Sequence, residues 1–276
     1  MILVMGATGN VGGEVVRSLA RAGRPVRAMS RRPDAASWPG GVESVAADLN
    51  DPDSVDDALT AVNSVFMLAG YPDPPGLLAR MEAAGVNRVV LLSTGAVVGG
   101  DLDNYVVRFN VVSEAAVRDC GLAWTVLRPS GFMSNALRWR PQLKAGNTIR
   151  EPFADVPVAL IDPFDIGAVA VRALTEDGHD GRSYRLTGPR AMLAAERVAV
   201  LADILGRHLR FEALADEQAR RQMSESMTAP LVDAFFEFSR GGSYRDDQVD
   251  ETAPVLLGRP LRTFRDWAQA HSGAFG

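Results

Sequence analysis

The chain has 276 residues, 47% of them hydrophobic and 23% charged, with a formal net charge of -5 and a single cysteine. That length carries one large α/β domain, or one such domain with a small appendage, and the composition is that of an ordinary globular protein. It argues against three classes: no apolar run approaches bilayer-spanning length, the lone Cys120 has no partner for an internal disulfide, and the acidic balance lacks a basic block for nucleic acid. A cytoplasmic protein without membrane or nucleic-acid partners is expected. His179, His208 and His271 are too scattered to suggest a metal site.

Ile2-Leu3-Val4-Met5 reads as a strand running into Gly6-Ala7-Thr8-Gly9-Asn10-Val11-Gly12, glycines spaced three apart at the mouth of a helix. Gly6 can turn sharply, Gly9 lets the backbone approach a pyrophosphate, and Gly12 lets the helix pack closely on the sheet. The free N–H groups of the helix would then point at the phosphates. Residues 11–22 form the predicted helix, with Val11, Val15 and Leu19 on one face and Gly23 as its stop. Strands follow at 26–29 and 42–47, after which Asp51-Pro52 reads as an N-cap with proline in the first turn. Residues 65–68 and 89–92 are short apolar runs of the kind buried in parallel sheets. Between them 71–85 leaves space for only a brief crossover helix. A helix over 104–119, with Cys120 packing at its end, precedes a sixth strand at 124–127. The rhythm implies a Rossmann-type doubly wound parallel sheet with ligands at the carboxyl ends of its strands.

After Arg128-Pro129 the rhythm changes. Asp162-Pro163-Phe164-Asp165 reads as a capping box opening a helix to Leu174, and 183–186 as one more strand. The remainder is mostly helical, with a short strand at 211–214 and a closing helix at 261–271. Residues 1–129 are expected to form the dinucleotide-binding core. Residues 130–276 form a smaller, mostly helical lid that returns 157–187 to the core.

The glycine turn, Ser30-Arg31-Arg32, Leu91-Leu92-Ser93 and Trp124-Thr125-Val126-Leu127-Arg128-Pro129 together resemble the NmrA-like atypical short-chain dehydrogenase/reductases. Ile161-Asp162-Pro163-Phe164-Asp165-Ile166 and the ending Leu257-Gly258-Arg259-Pro260 through Trp267 resemble the actinobacterial NAD(P)-binding branch. The resemblance spans nearly the whole chain. It implies a dinucleotide and one of three roles: quinone or enone reduction, natural-product tailoring, or redox sensing without turnover.

NAD-selective sites usually place Asp or Glu at the end of the second strand. Ser30 takes that place here, followed by Arg31 and Arg32, and an arginine fork binds a 2′-phosphate that a carboxylate would repel. NADP(H) is therefore expected over NAD(H), with a solvated arginine turn as the alternative. By the resemblance, Asp48 and Leu49 contact the adenine; Asp48 as a plain turn residue is the rival reading. Leu68, Ala69 and Gly70 are expected to pass beneath the cofactor, and Ser93 and Thr94 to end near the nicotinamide riboside.

The broader superfamily uses a Tyr with Lys four residues later. Tyr71, Tyr105, Tyr184 and Tyr244 are followed at that spacing by Pro75, Phe109, Gly188 and Gln248, and the sole lysine, Lys144, has Arg140 four residues before it. The dyad is absent in any register. Candidate catalytic groups are therefore Ser93 and Thr94, as hydrogen-bond donors to a carbonyl, and Asn110, as an orienter of the ribose. Tyr105 reads as packing. Phe132, Met133, Trp139 and Phe153 are candidates for an apolar substrate wall, with core packing as the equal alternative. Phe235, Phe236 and Phe238 close the pocket or form a homodimer surface. The expected function is NADPH-dependent reduction of a planar quinone or aromatic polyketide-like small molecule in secondary metabolism. The alternatives are an NADP(H)-sensing regulator, or a non-redox or coupling step on the same fold.

Overall fold

A computed structural model of the chain describes residues 1–33, 36–99, 101–242 and 244–276. The first half alternates as the periodicity requires: β1 (Ile2–Val4), α1 (Asn10–Arg21), β2 (Val26–Ser30), β3 (Val42–Ala46), α2 (Asp56–Leu59), β4 (Ser64–Leu68), α3 (Pro74–Ala83) and β5 (Arg88–Leu92). It continues through α4 (Tyr105–Asp119), β6 (Ala123–Pro129), α5 (Arg140–Ala145), β7 (Thr148–Glu151), α6 (Pro163–Thr175), β8 (Arg182–Leu186), α7 (Ala194–Leu205) and β9 (Arg210–Ala213). Four helices close the chain: α8 (Asp216–Ser224), α9 (Ala229–Phe236), α10 (Thr252–Leu257) and α11 (Phe264–Ala270).

Seven strands form one sheet in the order β3-β2-β1-β4-β5-β6-β8, every neighbouring pair parallel. The order reverses between β1 and β4, which makes the crevice over their carboxyl ends the natural ligand site. The central strands are continuous apolar runs because both faces are covered. Val4, Phe66, Val90 and Leu127 face α1 and α6, where Val11, Val15, Leu19 and Ile166 meet them. Their neighbours in the strands, Leu3, Met5, Val65, Met67, Val89 and Leu91, face the opposite layer with Leu77, Met81 and Val117. The Rossmann-type expectation holds.

Two local expectations are corrected. Asp51 does not cap a helix with its side chain; Pro52–Val55 is a 3₁₀ turn, and Ser54 Oγ donates to the Asp51 carbonyl. At α6, Asp162 does accept from the Phe164 N–H, but Asp165 does not complete a capping box. Fully buried, Asp165 instead accepts from Arg259 Nη2 at 2.7 Å and from the Arg262 N–H at 2.8 Å. This carboxylate ties the C-terminal segment to the core, and Arg262 also stacks its guanidinium 3.6 Å from the centre of the Phe164 ring.

A small second sheet pairs β7 with β9 in parallel. It belongs to a third apolar cluster containing Trp139, Leu143, Ile149, Leu201, Phe264 and Trp267. Removing the buried partner of an ion pair leaves charge and donors uncompensated. Asp165→Ala should therefore lose about 3 kcal/mol in urea denaturation, and limited proteolysis should cut the variant first between α10 and α11.

Candidate functional site

The glycine turn is built by backbone contact. Gly6 has φ +62°, and a Cβ there would lie 2.4 Å from Leu68 Cδ1; a Cβ on Gly12 would lie 2.3 Å from the Gly6 carbonyl oxygen. The second clash is with main chain, so no rotamer relieves it. These contacts bring the start of α1 against the end of β1. Gly9 precedes the helix and supplies no side-chain cap, whereas Asn104 caps α4 by accepting from the Val106 and Val107 N–H groups. The open donors at the amino end of this twelve-residue helix suit an anion. Thr8, Gly9 and Asn10 are exposed at the turn, while the Val11 side chain is buried in the core.

A cavity of 230 Å³ opens beside this turn, lined among others by Thr8, Asn10, Arg17, Phe164 and Arg262. Ser134 and Asp162 also line it, and among the described residues Ser134 Oγ and Asp162 Oδ2 are buried without a hydrogen-bond partner. Burial pushes the Asp162 carboxyl up, although Arg262 Nη1 stands 3.5 Å from Oδ2.

At the far end of the crevice the chain collects Arg31, Asp48 and Tyr71. Backbone and side-chain hydrogen bonds from Asn50 lower the Asp48 carboxyl, with help from the Arg31 charge. Burial raises the Tyr71 phenol, on which Arg31 and Asp48 also act. Asp48 Oδ1 accepts from the Asn50 N–H and from Asn50 Nδ2, each at 3.0 Å, so it is a turn residue whatever else it binds. Arg31 and Arg32 are exposed and, among the described residues, make no side-chain hydrogen bond or ion pair. Leu49, Leu68 and Ala69 are half-buried, and Gly70 turns with φ +96° while its N–H donates to Ser113 Oγ. From sequence Tyr71 entered only as a tyrosine without a lysine four residues on; its place directly after Gly70 is the signal that marks it for the site.

At the carboxyl end of β5 the structure gives Ser93 a different task from the expected one. Its Oγ donates to Glu114 Oε1 at 2.6 Å, so the proton that would polarise a carbonyl is committed to a carboxylate. Glu114 is fully buried on α4 and also receives Arg118 Nη2 and both Nε and Nη2 of Arg128. Burial would raise its carboxyl, but the hydrogen bonds from Arg128, Ser93 and Arg118 outweigh that and hold it below the ordinary value. The cluster locks the ends of β5 and β6 to α4. Thr94 Oγ1 accepts from the Ala96 N–H at 3.3 Å and is half-buried. Asn110 is buried with Nδ2 donating to the Val106 carbonyl, one turn back, which leaves Oδ1 as its open group. Tyr105 is 42% exposed and packs edge-on against Phe109.

The proposed substrate wall divides. Trp139 is wholly buried and its Nε1 donates to Glu151 Oε1 at 2.6 Å, which Arg138 also holds, so this ring is core and not wall. Met133 is likewise buried, facing the third apolar cluster. Phe132 is half-buried and bridges to Ile161, which keeps it beside the strand ends. Phe153 has φ +53° and packs edge-on against Phe236 at 4.9 Å. Phe235 and Phe238 make a similar pair. The structure thus separates four residues that the sequence had grouped by chemistry alone.

Comparison with known proteins follows the same outline. A family profile described as NAD(P)H-binding matches residues 6–177, from the glycine turn through α6. The chain belongs to this NAD(P)H-binding family. Over 100% of its length it is 43% identical to a (4-alkanoyl-5-oxo-2,5-dihydrofuran-3-yl)methyl phosphate reductase of Streptomyces griseus, 99% of which is covered. It is 37% identical to an NAD(P)H azoreductase of Xenophilus azovorans, with 100% and 99% of the two chains aligned. An NADPH-dependent quinone oxidoreductase of Escherichia coli, solved with NADPH, superposes with TM-score 0.79 over 99% of this chain and 100% of that one, at 23% identity. The dinucleotide-binding family that the sequence resemblance implies is borne out by the family match. Among the described residues no helix is long and apolar enough to cross a membrane.

The residues present fit a dinucleotide: open N–H donors at α1, a turn that any Cβ at Gly12 would fill, and a cationic side chain at the end of β2. The Glu114 cluster has a measurable consequence. A carboxyl held below its ordinary value of 4.5 adds stability above that value and loses it as pH falls through the lowered one. Glu114→Gln should cost about 3 kcal/mol at neutral pH, and the gap to wild type in urea titrations should close as the pH falls below 4.5.

Proposed function

We propose that this protein is an NADPH-dependent reductase of a planar conjugated acceptor, of the quinone or aromatic polyketide-like kind. The observation that carries the reading is the uncapped glycine turn at α1, facing the crevice that also holds Arg31 at its other end. The three relatives are named for an oxo-dihydrofuran, an azo compound and a quinone. Each name denotes a π system that delocalises the charge left after reduction. An acceptor of that kind suits a helix α4 without the Tyr/Lys pair, because a stabilised anion needs less acid assistance.

In this reading the N–H groups of Asn10, Val11 and Gly12 hold the pyrophosphate, with Thr8 and Gly9 shaping the approach. Arg31 binds the 2′-phosphate through a charge-assisted fork, and Arg32 is a second clamp. Asp48 and Leu49 border the adenine, with Tyr71 beside them. Leu68, Ala69 and Gly70 floor the crevice, and Asn110 Oδ1 and Thr94 orient the ribose. Ser93 serves indirectly, fixed by Glu114. When bound, the reduced dinucleotide supplies a hydride. Phe132 and Phe153 offer faces to the acceptor, and residues 130–276 act as the lid that excludes water, with 157–187 returned to the core.

Stopped-flow mixing with a panel of naphthoquinones, anthraquinones and unsaturated lactones should show NADPH oxidation well above background for at least one class. No oxidation across the panel, together with unequal affinities for NADP and NADPH, would instead establish the sensing role. In fluorescence titrations NADPH should bind more tightly than NADH. Arg31→Asp should weaken NADPH at least ~10-fold while sparing NADH, and equal wild-type affinities would remove the arginine fork from the reading.

A further inference from the structure

The absence of the Tyr/Lys dyad leaves the proton of the reduction without a source on α4. A phenol and a carboxyl meet instead at the same strand ends, delivered by the C-terminal segment. Tyr244 Oη donates to Asp246 Oδ1 at 2.7 Å. The phenol oxygen lies so close to the chain after β5 that a Cβ on Gly95 would come within 2.4 Å of it. Asp246 Oδ2 accepts from the Gly131 N–H at 3.2 Å, immediately after β6, and the Asp246 carbonyl accepts from the Ala159 N–H at 2.7 Å. The pair therefore sits between Thr94-Gly95 and Gly131-Phe132. These are the carboxyl ends of β5 and β6, on the opposite side of the β1/β4 reversal from Arg31 and Asp48. A dinucleotide with its adenosine at β2 and β3 extends across that reversal.

We propose that Tyr244 is the proton donor of the reduction, and that Asp246 positions and recharges it. The inference rests on the reductase reading above. In the step, the acceptor takes a hydride from the reduced dinucleotide at its electrophilic atom, and the displaced π pair moves to the acceptor oxygen. The Tyr244 O–H bond breaks as the new O–H bond forms on that oxygen. Asp246, as the carboxylic acid, then gives its proton to Tyr244 Oη, reversing the hydrogen bond between them. The acceptor is reduced by two electrons, the dinucleotide is oxidised, and the mostly buried Asp246 carboxylate regains one proton from solvent at its remaining exposed edge.

The surroundings suit this division. Burial raises the Tyr244 phenol, and the Asp246 charge and hydrogen bond raise it further, so it cannot act as a lone acid. Burial also raises the Asp246 carboxyl, against hydrogen bonds from Tyr244 and Gly131 and the charge of Arg185 on β8, and with repulsion from Asp247. Burial thus moves Asp246 toward the protonated form that recharges Tyr244, and in that form its charge no longer opposes loss of the phenol proton. Phe238 packs edge-on against Tyr244 at 6.0 Å and Arg185 Nη2 holds the Arg245 carbonyl at 2.8 Å, which fixes the segment.

The test compares wild type with Tyr244→Phe and Asp246→Asn, using NADPH and 1,4-naphthoquinone or an unsaturated lactone. Tyr244→Phe should lower kcat by about 10²-fold with the NADPH dissociation constant unchanged. Asp246→Asn should lower kcat and abolish the fall of wild-type kcat at alkaline pH, because that limb reports loss of the Asp246 proton. Independently of turnover, the infrared spectrum of the ligand-free protein at neutral pH should contain a protonated-carboxyl band that Asp246→Asn removes. Wild-type oxidation of NADPH that Tyr244→Phe leaves intact would overturn this inference and spare the reductase reading. Failure of wild type to oxidise NADPH with any acceptor would overturn the reading itself, and the inference with it. If thermal melting shows Tyr244→Phe unfolded, the Asp246→Asn pH profile and band decide: an unchanged profile or a surviving band overturns the proposal.

Discussion

Everything at the crevice depends on how closely α1 approaches the end of β1. The contact is main chain against main chain at Gly6 and Gly12, where a single added carbon would stand 2.3 Å from a carbonyl oxygen. Because no side chain intervenes, the amino end of α1 remains open and its N–H groups lack the cap that Asn104 gives α4. The same approach lets α6 lie along α1 over a shared apolar layer of Val15, Leu19, Ile166 and Ala170. The anion-binding end and the core of this layer are consequences of one geometric fact.

Around that constraint the molecule manages buried carboxylates with arginine. Glu114 takes Arg118 and Arg128, Glu151 takes Arg138, and Asp165 takes Arg259, each carboxylate almost wholly shielded from solvent. A planar fork can satisfy both carboxylate oxygens at once, which an ammonium does less well. With one lysine in the chain, the positive charge needed inside is supplied by groups that do not lose their proton. The consequence for chemistry is specific. Arginine can hold phosphates and carboxylates, but no lysine stands beside a tyrosine on α4.

The core strands and α1 were legible from sequence because burial on both faces writes itself as apolar runs, and because Gly6, Gly9 and Gly12 have few other uses at that spacing. The helix over 104–119 was legible for a similar reason, since Asn104 caps its own chain locally. Asp51 and Asp165 misled because capping residues look alike in sequence, yet the partner is chosen by what arrives from a distance: Arg259 and Arg262 for Asp165. The strand β7 was missed because four residues, Thr148–Glu151, carry too short an alternation to stand out. Trp139 illustrates the commonest ambiguity. An aromatic ring reads the same whether it faces a ligand or, as here, a buried glutamate.

Sequence alone determined the doubly wound sheet, the dinucleotide turn and the absence of the Tyr/Lys pair, since each follows from spacing along the chain. Only the tertiary structure decided that Ser93 gives its proton to Glu114, that Trp139 is core, and that Tyr71 joins Arg31 and Asp48. It also decided that Tyr244 and Asp246 return to the ends of β5 and β6. These pairings join residues far apart in the chain, and a contact of that kind is set by how layers pack rather than by any local period.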